Sequence, residues 1–350
     1  MFVAVYFLCT MRAWILTSHG SPSKVLQLRE QPDPVPEDDQ VLIECEGFGL
    51  NFADVMAVKG MYREAPPLPS VLGYEVVGRI RSAGEKAPAD LIGKRVVAIT
   101  RFGGYAEKVA TDHRVAVPVP DHVTIGEAAA LATQGSTAWY AAKMLANIQP
   151  LERVLVHSAA GGVGNLLVQL ALNQGCEVFA IAKGAKKMEY LRSLGVEHVF
   201  DRSEKDHLEK LKKALAGRKL DVAFNAVGGS TFKQDMQLIG SGGRLVLFGG
   251  SERGGIGTFG TLRFVLRMGI TIPILLMMTS RSLLGVNMYR LGRDRPEVLS
   301  ICMRQAVEAF NNGILRPYVH AEFDHTDLPK ALEELGNGRT IGKVAVKWRV

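Results

Sequence analysis

Residues 153–187, RVLVHSAAGGVGNLLVQLALNQGCEVFAIAKGAKK, decide the fold of this 350-residue chain. Residues 153–157 are mostly β-branched or apolar and predict a buried strand, which small residues at 158–162 interrupt. Apolar residues then recur at helical spacing over 163–173, and 177–182 is a second apolar run. A strand, a helix and a strand of these lengths predict one βαβ unit, the crossover that joins two parallel strands.

Small residues fill the turn between the first strand and the helix. Their spacing is Ala159-x-Gly161-x-x-Gly164, so alanine stands where such turns usually have their first glycine. A pyrophosphate has to approach the backbone at the helix N-terminus, where N–H groups and the helix dipole favour negative charge. We interpret this strand–turn–helix as a dinucleotide site, the alternative being a tight turn without a ligand. The candidate contacts are Ser158, Gly161, Gly162, Val163 and Gly164.

The residues after the second strand choose between the two nicotinamide cofactors. An NAD site usually has a carboxylate there for the ribose 2′-hydroxyl. This chain has Lys183, Lys186 and Lys187, and no carboxylate before Glu189. Since cations suit a 2′-phosphate, we expect NADPH, with Lys183 and Lys187 among its contacts. The alternative is that these lysines only solvate the start of a helix.

Composition bounds the class of protein. A hydrophobic content of 47% with 22% charged residues is ordinary for a soluble α/β protein. The net charge is +7, but no basic run has interleaved aromatic residues, so we expect no nucleic-acid binding. The four cysteines are far apart and form no Cys-x-x-Cys pair. That pattern favours a reducing compartment, here the cytoplasm, and argues against a structural zinc site.

Two apolar segments are too short to cross a membrane. Residues 2–8 follow no basic region, and we interpret 1–10 as an N-terminal extension upstream of a natural start at Met11. Residues 270–278 (ITIPILLMM) contain Pro273 and are well short of a membrane helix. We interpret this second segment as core, or as a dimer or substrate-facing surface.

The order of predicted elements indicates two domains. Up to residue 124 the patterns are mostly strands separated by Gly- and Pro-containing turns, which predicts an antiparallel, barrel-like domain. After that point strands and helices alternate, which predicts a doubly wound parallel sheet. A helix over 296–311 and a strand over 343–347 are interpreted as a return to the first domain. The predicted boundaries are therefore 11–133 with 286–350, and 134–285.

Several motifs together resemble those of a known family. They are Leu50-Asn51-Phe52-Ala53-Asp54, Gly60-Met61-Tyr62, Gly73-Tyr74-Glu75-Val76-Val77-Gly78, Gln134-Gly135-Ser136-Thr137-Ala138-Trp139-Tyr140, the turn at 158–164, and Ile341-Gly342-Lys343-Val344. The chain resembles the medium-chain dehydrogenase/reductases, and within them the zinc-free quinone oxidoreductase (ζ-crystallin) branch with its VAT-1-like members. The resemblance implies a Rossmann nucleotide-binding domain and a GroES-like catalytic domain.

The resemblance also implies the catalytic residues. Zinc-dependent relatives have a ligand histidine where this chain has Tyr74, and a catalytic cysteine in the turn that here begins at Asn51. Tyrosine and asparagine are poor zinc ligands, so we expect no metal. Asn51 matches an asparagine that faces nicotinamide and substrate, its alternative being a helix cap. Tyr62 matches a tyrosine of the substrate cleft, its alternative being simple packing.

Further cofactor contacts are carried over from the family position by position. Thr137 matches a threonine of the interdomain helix, Lys187 the 2′-phosphate lysine, and Arg202 replaces a tyrosine on the adenosine side. The remaining matches lie along the nicotinamide half: Asn225, Val227, Phe248, Gly249 and Lys343.

Two further features are interpreted as structural. His157 is a lone histidine, more often satisfied in a core than catalytic. Asp54 and Glu75 could be imagined as a carboxylate pair, but no pattern places them together, and Asp54 is explained by its position at a helix start.

The expected function is hydride transfer from NADPH, bound between the two domains, to a small electron acceptor, either a quinone or an α,β-unsaturated carbonyl. Asn51, Tyr62 or a water would stabilise the developing oxyanion. The alternative is a catalytically weak VAT-1-like protein that keeps the nucleotide site and binds lipid or a partner at a membrane surface. The resemblance further implies a homodimer, formed through edge strands near 282–288.

Overall fold

The computed structural model describes residues 10–253, 257–269 and 271–348. Contacts divide the chain into two compact units. Unit 1 contains the described residues up to Thr133 and those from Val319 onward, and unit 2 runs from Gln134 to Tyr318. Of the predicted extension at 1–10, residues 1–9 lie outside the described part, and Thr10 begins the first strand.

The described residues contain sixteen strands. In chain order they are β1 (Thr10–Leu16), β2 (Leu26–Pro32), β3 (Gln40–Leu50), β4 (Ser70–Val71), β5 (Glu75–Ala83), β6 (Arg95–Ile99), β7 (Lys108–Asp112), β8 (Ala116–Pro118), β9 (Arg153–His157), β10 (Glu177–Ala182), β11 (His198–Asp201), β12 (Leu220–Asn225), β13 (Ile239–Leu247), β14 (Ser282–Gly285), β15 (Val319–Asp324) and β16 (Lys343–Lys347).

The same part of the chain contains thirteen α-helices. They are α1 (Pro22–Val25), α2 (Phe52–Val58), α3 (Ile125–Ala130), α4 (Ser136–Trp139), α5 (Gly162–Asn173), α6 (Ala185–Ser193), α7 (His207–Leu215), α8 (Ser230–Leu238), α9 (Gly257–Met268), α10 (Pro273–Thr279), α11 (Met288–Asp294), α12 (Pro296–Asn311) and α13 (Leu328–Gly336). Wider π-helical turns flank α4, at Leu131–Gly135 and Tyr140–Leu145.

Unit 2 is built on a six-stranded parallel sheet in the order β11-β10-β9-β12-β13-β14. This is the doubly wound order in which ligands bind at the carboxyl ends of the strands, where the direction of winding reverses between β9 and β12. The central strands are apolar because helices cover them: Val154, Leu155 and Val156 of β9 are fully buried. The predicted crossover over 153–187 is therefore the centre of this sheet.

Unit 1 contains a three-stranded sheet, β2-β1-β4, and a larger sheet in the order β15-β16-β3-β5-β6-β8 with β7 paired to β3. Pairing is antiparallel as predicted, with one difference: β15 and β16 run parallel. The difference arises because α13 lies between these two strands in sequence and provides the crossover that a parallel pair needs. Apolar residues of both sheets, α2 and α13 share one core.

The return to unit 1 begins at Val319, not at the predicted residue 286. The intervening segment belongs to unit 2 because its end is tied to α5: Gln169 donates to the Arg316 carbonyl at 3.1 Å, and the Arg316 N–H donates back to Gln169 at 2.6 Å. Beside them, the Tyr190 and Tyr318 rings meet edge-on with centroids 4.9 Å apart.

The apolar segment at 270–278 is mostly surface, apart from Ile270, which lies outside the described residues. Helix α10 leaves Met277 and Met278 70% and 73% exposed, and Ile272, Ile274 and Leu275 are exposed as well. The interpretation of this segment as core was therefore wrong, and its interpretation as a dimer or substrate-facing surface stays a prediction. Across the described ranges no helix combines the length and the apolarity that crossing a membrane requires.

Candidate cofactor and acceptor sites

The turn after β9 has the backbone geometry of an anion site. Ser158, directly after the strand, has φ +52°, a left-handed conformation that is uncommon for a residue with a side chain and that often marks functional sites. The Gly161 N–H donates to the Ser158 carbonyl at 2.8 Å and closes the turn. Gly161 then caps α5 in an extended conformation, so the first N–H groups of the helix point out of its N-terminus, where they lack intrahelical acceptors.

Two glycines of this turn lie close to neighbouring atoms. A β-carbon on Gly164 would lie 2.3 Å from the Ser158 carbonyl oxygen, and one on Gly162 would lie 2.3 Å from the Gln134 side chain. The first of these contacts is the close approach of helix to strand that dinucleotide turns require. Val163, between the two glycines, is half-buried at the start of the helix.

A pair of buried amides under the turn escaped the sequence analysis. Asn165 donates through its side-chain nitrogen to the carbonyls of Gly161 and Gly162, both at 2.7 Å. Gln169 donates to the Asn165 oxygen at 3.2 Å. The available signal was the presence of two amides at positions i and i+4 of an otherwise apolar helix, where uncharged polar groups need a specific partner.

Three cations gather at the end of β10. Burial lowers the pKa of Lys187, and repulsion from Arg202 and Lys183 lowers it further. The Arg202 N–H donates to the carbonyl of Ala182, the last residue of β10, at 2.8 Å, which brings Arg202 to this end of the strand. Lys183 and Arg202 are exposed and Lys187 is half-buried. Cations in the same region favour the approach of an anion such as a phosphate.

A carboxylate also lies at this turn, which the sequence analysis did not anticipate. Asp201 is the last residue of β11, and its Oδ2 accepts from the Gly184 N–H at 2.9 Å. Its Oδ1 accepts from the N–H and hydroxyl of Ser203, and these hydrogen bonds lower the pKa of Asp201. The search along β10 missed this residue because it comes from the neighbouring strand. Since both oxygens accept hydrogen bonds from the protein, we assign Asp201 to holding the turn.

The predicted residues at the ends of β12 and β13 meet in a second turn of unit 2. Asn225 is fully buried, and its side-chain oxygen accepts from the N–H groups of Val227 and Gly228, both at 2.8 Å. The Phe248 N–H donates to the Asn225 carbonyl at 3.1 Å, and a β-carbon on Gly249 would lie 2.7 Å from the Ala226 oxygen. The buried Asn225 side chain therefore fixes the backbone conformation of this turn. Thr137, on α4, is buried.

Unit 1 holds a fully buried ion pair next to Asn51. The Lys343 ammonium pairs with Glu75 Oε1, and both side chains are 0% exposed. The Asn51 side-chain nitrogen donates to the two Glu75 oxygens at 2.8 and 2.9 Å, while Lys343 donates to the Asn51 oxygen at 3.3 Å. Thr133 donates to the other Glu75 oxygen. The amide orientation of Asn51 is thus fixed by a cation on one side and an anion on the other.

Asp54 belongs to the same network. Its Oδ2 accepts from the Asn51 N–H at 2.8 Å. Burial raises the pKa of Asp54 to about 7 and the nearby Glu75 raises it as well, against the opposing effects of the Asn51 N–H, Lys343 and Tyr105. The view that nothing brings Asp54 and Glu75 together is corrected: both contact Asn51, Asp54 through the backbone and Glu75 through the side chain.

The structure changes the interpretation of two predicted residues. Lys343 was matched to a cofactor contact, but its fully buried ammonium already pairs with Glu75, so we reassign it to orienting Asn51. Asn51 is buried and its amide is engaged with Glu75 and Lys343, which indicates structural support, while its contact with nicotinamide and substrate stays a prediction. Glu75, Thr133 and Asp54 are the members of this network that sequence analysis did not assign.

Tyr62 belongs to an aromatic cluster with Tyr74 and Phe102. The Tyr62 and Tyr74 rings meet edge-on with centroids 6.1 Å apart, and Tyr74 and Phe102 are 5.0 Å apart. Tyr62 and Phe102 are half-buried, whereas Tyr74 is buried. Tyr74, which the resemblance matched to a zinc-ligand histidine, packs against Tyr62 in this structure. Among the described residues, no group of three or more histidine, cysteine, aspartate or glutamate side chains is arranged to hold a metal ion.

Comparisons with known proteins agree with this geometry. Residues 37–121 match the alcohol dehydrogenase GroES-like domain, and residues 162–304 match the family described as zinc-binding dehydrogenase. The chain is 30% identical to the human synaptic vesicle membrane protein VAT-1 homolog over 343 residues, which is 95% of this chain and 86% of that protein. The chain belongs to the medium-chain dehydrogenase/reductase family. Its place there is with the zinc-free, VAT-1-like members, as predicted.

Solved structures confirm the predicted fold, a Rossmann sheet with a GroES-like domain. The Escherichia coli quinone oxidoreductase complexed with NADPH is 26% identical and has a TM-score of 0.83, covering 97% of this chain and 100% of that one. The CurK enoyl reductase is 27% identical with a TM-score of 0.84, covering 97% and 99%. The protein is therefore an oxidoreductase-type member of this family.

Proposed function

We propose that this protein is an NADPH-dependent, zinc-independent oxidoreductase that transfers hydride to a quinone or to an α,β-unsaturated carbonyl compound. The observation that carries the choice of cofactor is the gathering of Lys183, Lys187 and Arg202 at the end of β10. Related structures support it, since a quinone oxidoreductase and a mycobacterial protein of this fold were solved with NADPH. The printed names of neighbours, quinone oxidoreductase and enoyl reductase, support the two acceptor classes.

The residues of unit 2 fit a dinucleotide. The turn at 158–164 excludes side chains where phosphates would approach, and α5 directs its N-terminus there. Lys187 and Arg202 would hold the 2′-phosphate, since Asp201 is already engaged with Gly184 and Ser203. When bound, NADPH supplies a hydride from its nicotinamide ring, and the protein provides orientation and exclusion of water.

Unit 1 supplies the polar groups for the acceptor. In this proposal the Tyr62 hydroxyl donates a hydrogen bond to the acceptor oxygen and so stabilises the charge that develops there. Its ring is supported by Tyr74. Asn51, held by Glu75 and Lys343, keeps the start of α2 in place. The proton that completes the reaction comes from solvent. Tyrosine at position 74 removes the metal-ligand histidine, so this arrangement does not use zinc.

Two measurements test the proposal on the whole chain. Calorimetric titration should give tighter binding for NADPH than for NADH. A panel of quinones, enones and matching saturated ketones, mixed with NADPH and protein, should show loss of nicotinamide absorbance with members of the first two classes only. If neither nucleotide gives a heat of binding, the proposed cofactor is refuted. If no acceptor is turned over, the proposed enzymatic activity is refuted.

The exposed face of α10 favours a second candidate function, a binding protein that retains the nucleotide site. Ile272, Ile274, Leu275, Met277 and Met278 form an apolar surface that water disfavours. A lipid bilayer is a chemically suitable partner for peripheral contact, and the VAT-1 relatives are named as synaptic vesicle membrane proteins. Co-flotation with vesicles of neutral and anionic lipid, with and without NADPH, tests this function. Protein that stays at the bottom in all four conditions rules it out.

We also propose a homodimer in the cytoplasm. Strand β14 pairs with β13 and is the last strand in the order of the unit 2 sheet, which leaves an edge for a second copy. Light scattering at increasing concentration tests the dimer, and a monomer throughout contradicts it. The cytoplasmic assignment is supported by Cys45, Cys176 and Cys302, which the structure leaves as buried free thiols. Fractionation of the source cells tests the location.

A further inference from the structure

A series of buried, hydrogen-bonded polar side chains, here called the polar chain, connects the two proposed cofactor turns of unit 2. These are the turn after β9 and the turn at Val227 and Gly228. The polar chain begins at His157, the last residue of β9, directly before Ser158. The His157 Nε2 lies 2.8 Å from Asp235 Oδ1, and because a carboxylate only accepts, the imidazole is the donor. The other oxygen of Asp235 accepts from the Asn225 side-chain nitrogen at 2.5 Å. His157, Asp235 and Asn225 are 3%, 1% and 0% exposed.

The chain ends on the backbone of the second turn. The Asn225 oxygen accepts from the N–H groups of Val227 and Gly228, and its nitrogen also donates to the Thr231 hydroxyl at 2.8 Å. Thr231 in turn donates to the Gly228 carbonyl at 2.8 Å. Gly228 has φ +67°, a left-handed conformation that glycine adopts readily. Only one orientation of the Asn225 amide satisfies all of these bonds, and Asp235 selects it.

Stability alone does not explain three buried polar side chains at this place. The strands around them are apolar, and Val156, Phe224 and Val246 are fully buried. Burying polar groups is unfavourable unless each is hydrogen-bonded, and an apolar side chain would fill the same space without that requirement. What the polar chain adds is orientation: it links the end of β9 to the end of β12, the two strands at which the winding of the sheet reverses and ligands bind.

We propose that His157 and Asp235 are positioning residues for the cofactor. They hold the Asn225 amide, and through it the turn at Val227 and Gly228, in the conformation that receives the dinucleotide. This inference rests on the proposed function. The sequence analysis interpreted His157 as a structural residue, and this inference gives it a role in cofactor binding. It also introduces Asp235, which no sequence motif indicated. Because both residues act through the turn at Val227 and Gly228, which the proposal assigns to the part of the dinucleotide that both cofactors share, their loss should weaken NADPH and NADH equally.

The test is a titration of the full chain with NADPH and with NADH, at a temperature well below each variant's unfolding midpoint. Asp235→Asn and His157→Phe should each raise both dissociation constants by about tenfold, the effect of one lost hydrogen bond to a charged group, and should leave their ratio unchanged. His157→Gln keeps a donor that reaches Asp235 and should restore most of the affinity. If either variant does not fold, Thr231→Val replaces it: this change keeps the Asp235 carboxylate, removes one acceptor of the Asn225 amide nitrogen and should raise both dissociation constants by the same factor.

A matched control lies at the opposite, amino-terminal ends of the same two strands. Asp221 of β12 accepts from the backbone and guanidinium of Arg153 of β9 at 2.8 and 2.9 Å. Asp221→Asn should lower the unfolding midpoint and leave both affinities within about twofold of wild type, because amino-terminal strand ends lie away from the ligand edge.

Unchanged affinities in folded Asp235→Asn and His157→Phe overturn the inference, and so does a loss of affinity that Asp221→Asn reproduces at equal loss of stability. Failure of the wild type to bind either nucleotide refutes the proposed function itself, and this inference with it.

Discussion

The Glu75–Lys343 pair allows the sharpest test of how unit 1 is organised. Both side chains are fully buried, so each charge depends on the other. Lys343→Met leaves the Glu75 carboxylate with its donors Asn51 and Thr133 but without a counter-charge. Glu75→Gln leaves the ammonium with amide oxygens alone. Each single change should reduce the free energy of unfolding by about 3–5 kcal/mol, because an unpaired charge stays buried.

Changing both residues should cost much less than the sum of the single changes. In the double variant the amide at position 75 still offers hydrogen bonds to Asn51, and the thioether side chain at position 343 fills the space of the lysine stem. The variant should therefore lose only about 1–2 kcal/mol for its weakened hydrogen bonds. The coupling between the two positions is then at least about 4 kcal/mol in a double-mutant cycle. An exposed pair in the same unit, Lys94 and Asp90, joined at 2.9 Å, is the control and should couple by no more than about 1 kcal/mol.

Urea unfolding followed by tryptophan fluorescence measures these energies. The chain has three tryptophans, and replacing Trp139 of unit 2 with phenylalanine leaves Trp14 and Trp348, 8% and 4% exposed within unit 1. The signal then reports the unit that contains the pair. Additive losses in the double variant would refute the reasoning, since they would show that the two charges do not compensate each other.

Three further predictions concern single residues. Lys187→Ala should weaken the binding of NADPH about 10–100-fold and that of NADH less than about twofold in calorimetric titration, because it removes one charge-assisted contact to the 2′-phosphate. Equal weakening of the binding of both nucleotides would contradict this assignment. Gly164→Ala should lower stability by about 1–3 kcal/mol and weaken both nucleotides, since its β-carbon meets the Ser158 oxygen, whereas Gly285→Ala, with open space around it, is a neutral control in the same melting experiment. Asp54 has a folded-state pKa of about 7 against an ordinary value of 3.8, so the folded state binds the extra proton and stability falls as pH rises from about 4 to 7, by at most about 1.4 kcal/mol per pH unit. Asp54→Asn should remove that slope in urea titrations across this range, and a slope shared by variant and wild type would show that another group causes it.

Local patterns predicted most of unit 2 because its elements are defined by nearby residues. The strands at 153–157 and 177–182 and the helix at 296–311 match the structure residue for residue. The spacing of apolar residues, the residue types that favour turns and the spacing of the glycines all depend on only a few neighbouring residues. The boundary at 286 failed for the opposite reason. Assignment of the segment up to Tyr318 depends on contacts such as Gln169 with Arg316, 147 residues apart, which no local pattern contains.

In the candidate site too, residues defined by local sequence were predicted, and residues that approach only in the folded structure were missed. Lys183 and Lys187 were predicted because they follow a strand in sequence, but Asp201 reaches the same turn from the next strand and was missed. Glu75 and Lys343 are 268 residues apart, and only folding shows that they meet at Asn51. Family motifs indicated Asn51 and Lys343 as important without showing which atoms they touch. The sequence thus predicted candidate positions but not their hydrogen-bond partners, because partners are determined by three-dimensional proximity.

Both units use a buried asparagine in the same way, and this changes what the family motifs mean. Asn51 is held between Glu75 and Lys343, and Asn225 is held by Asp235. An amide has a donor end and an acceptor end, so charged partners fix its orientation where a hydroxyl would rotate. In each unit a charged side chain without exposed surface is used to fix one amide. It follows that a substitution of either asparagine by aspartate, which is nearly identical in shape, should be more harmful than its size suggests, because it reverses the polarity of the nitrogen end against Glu75 or Asp235.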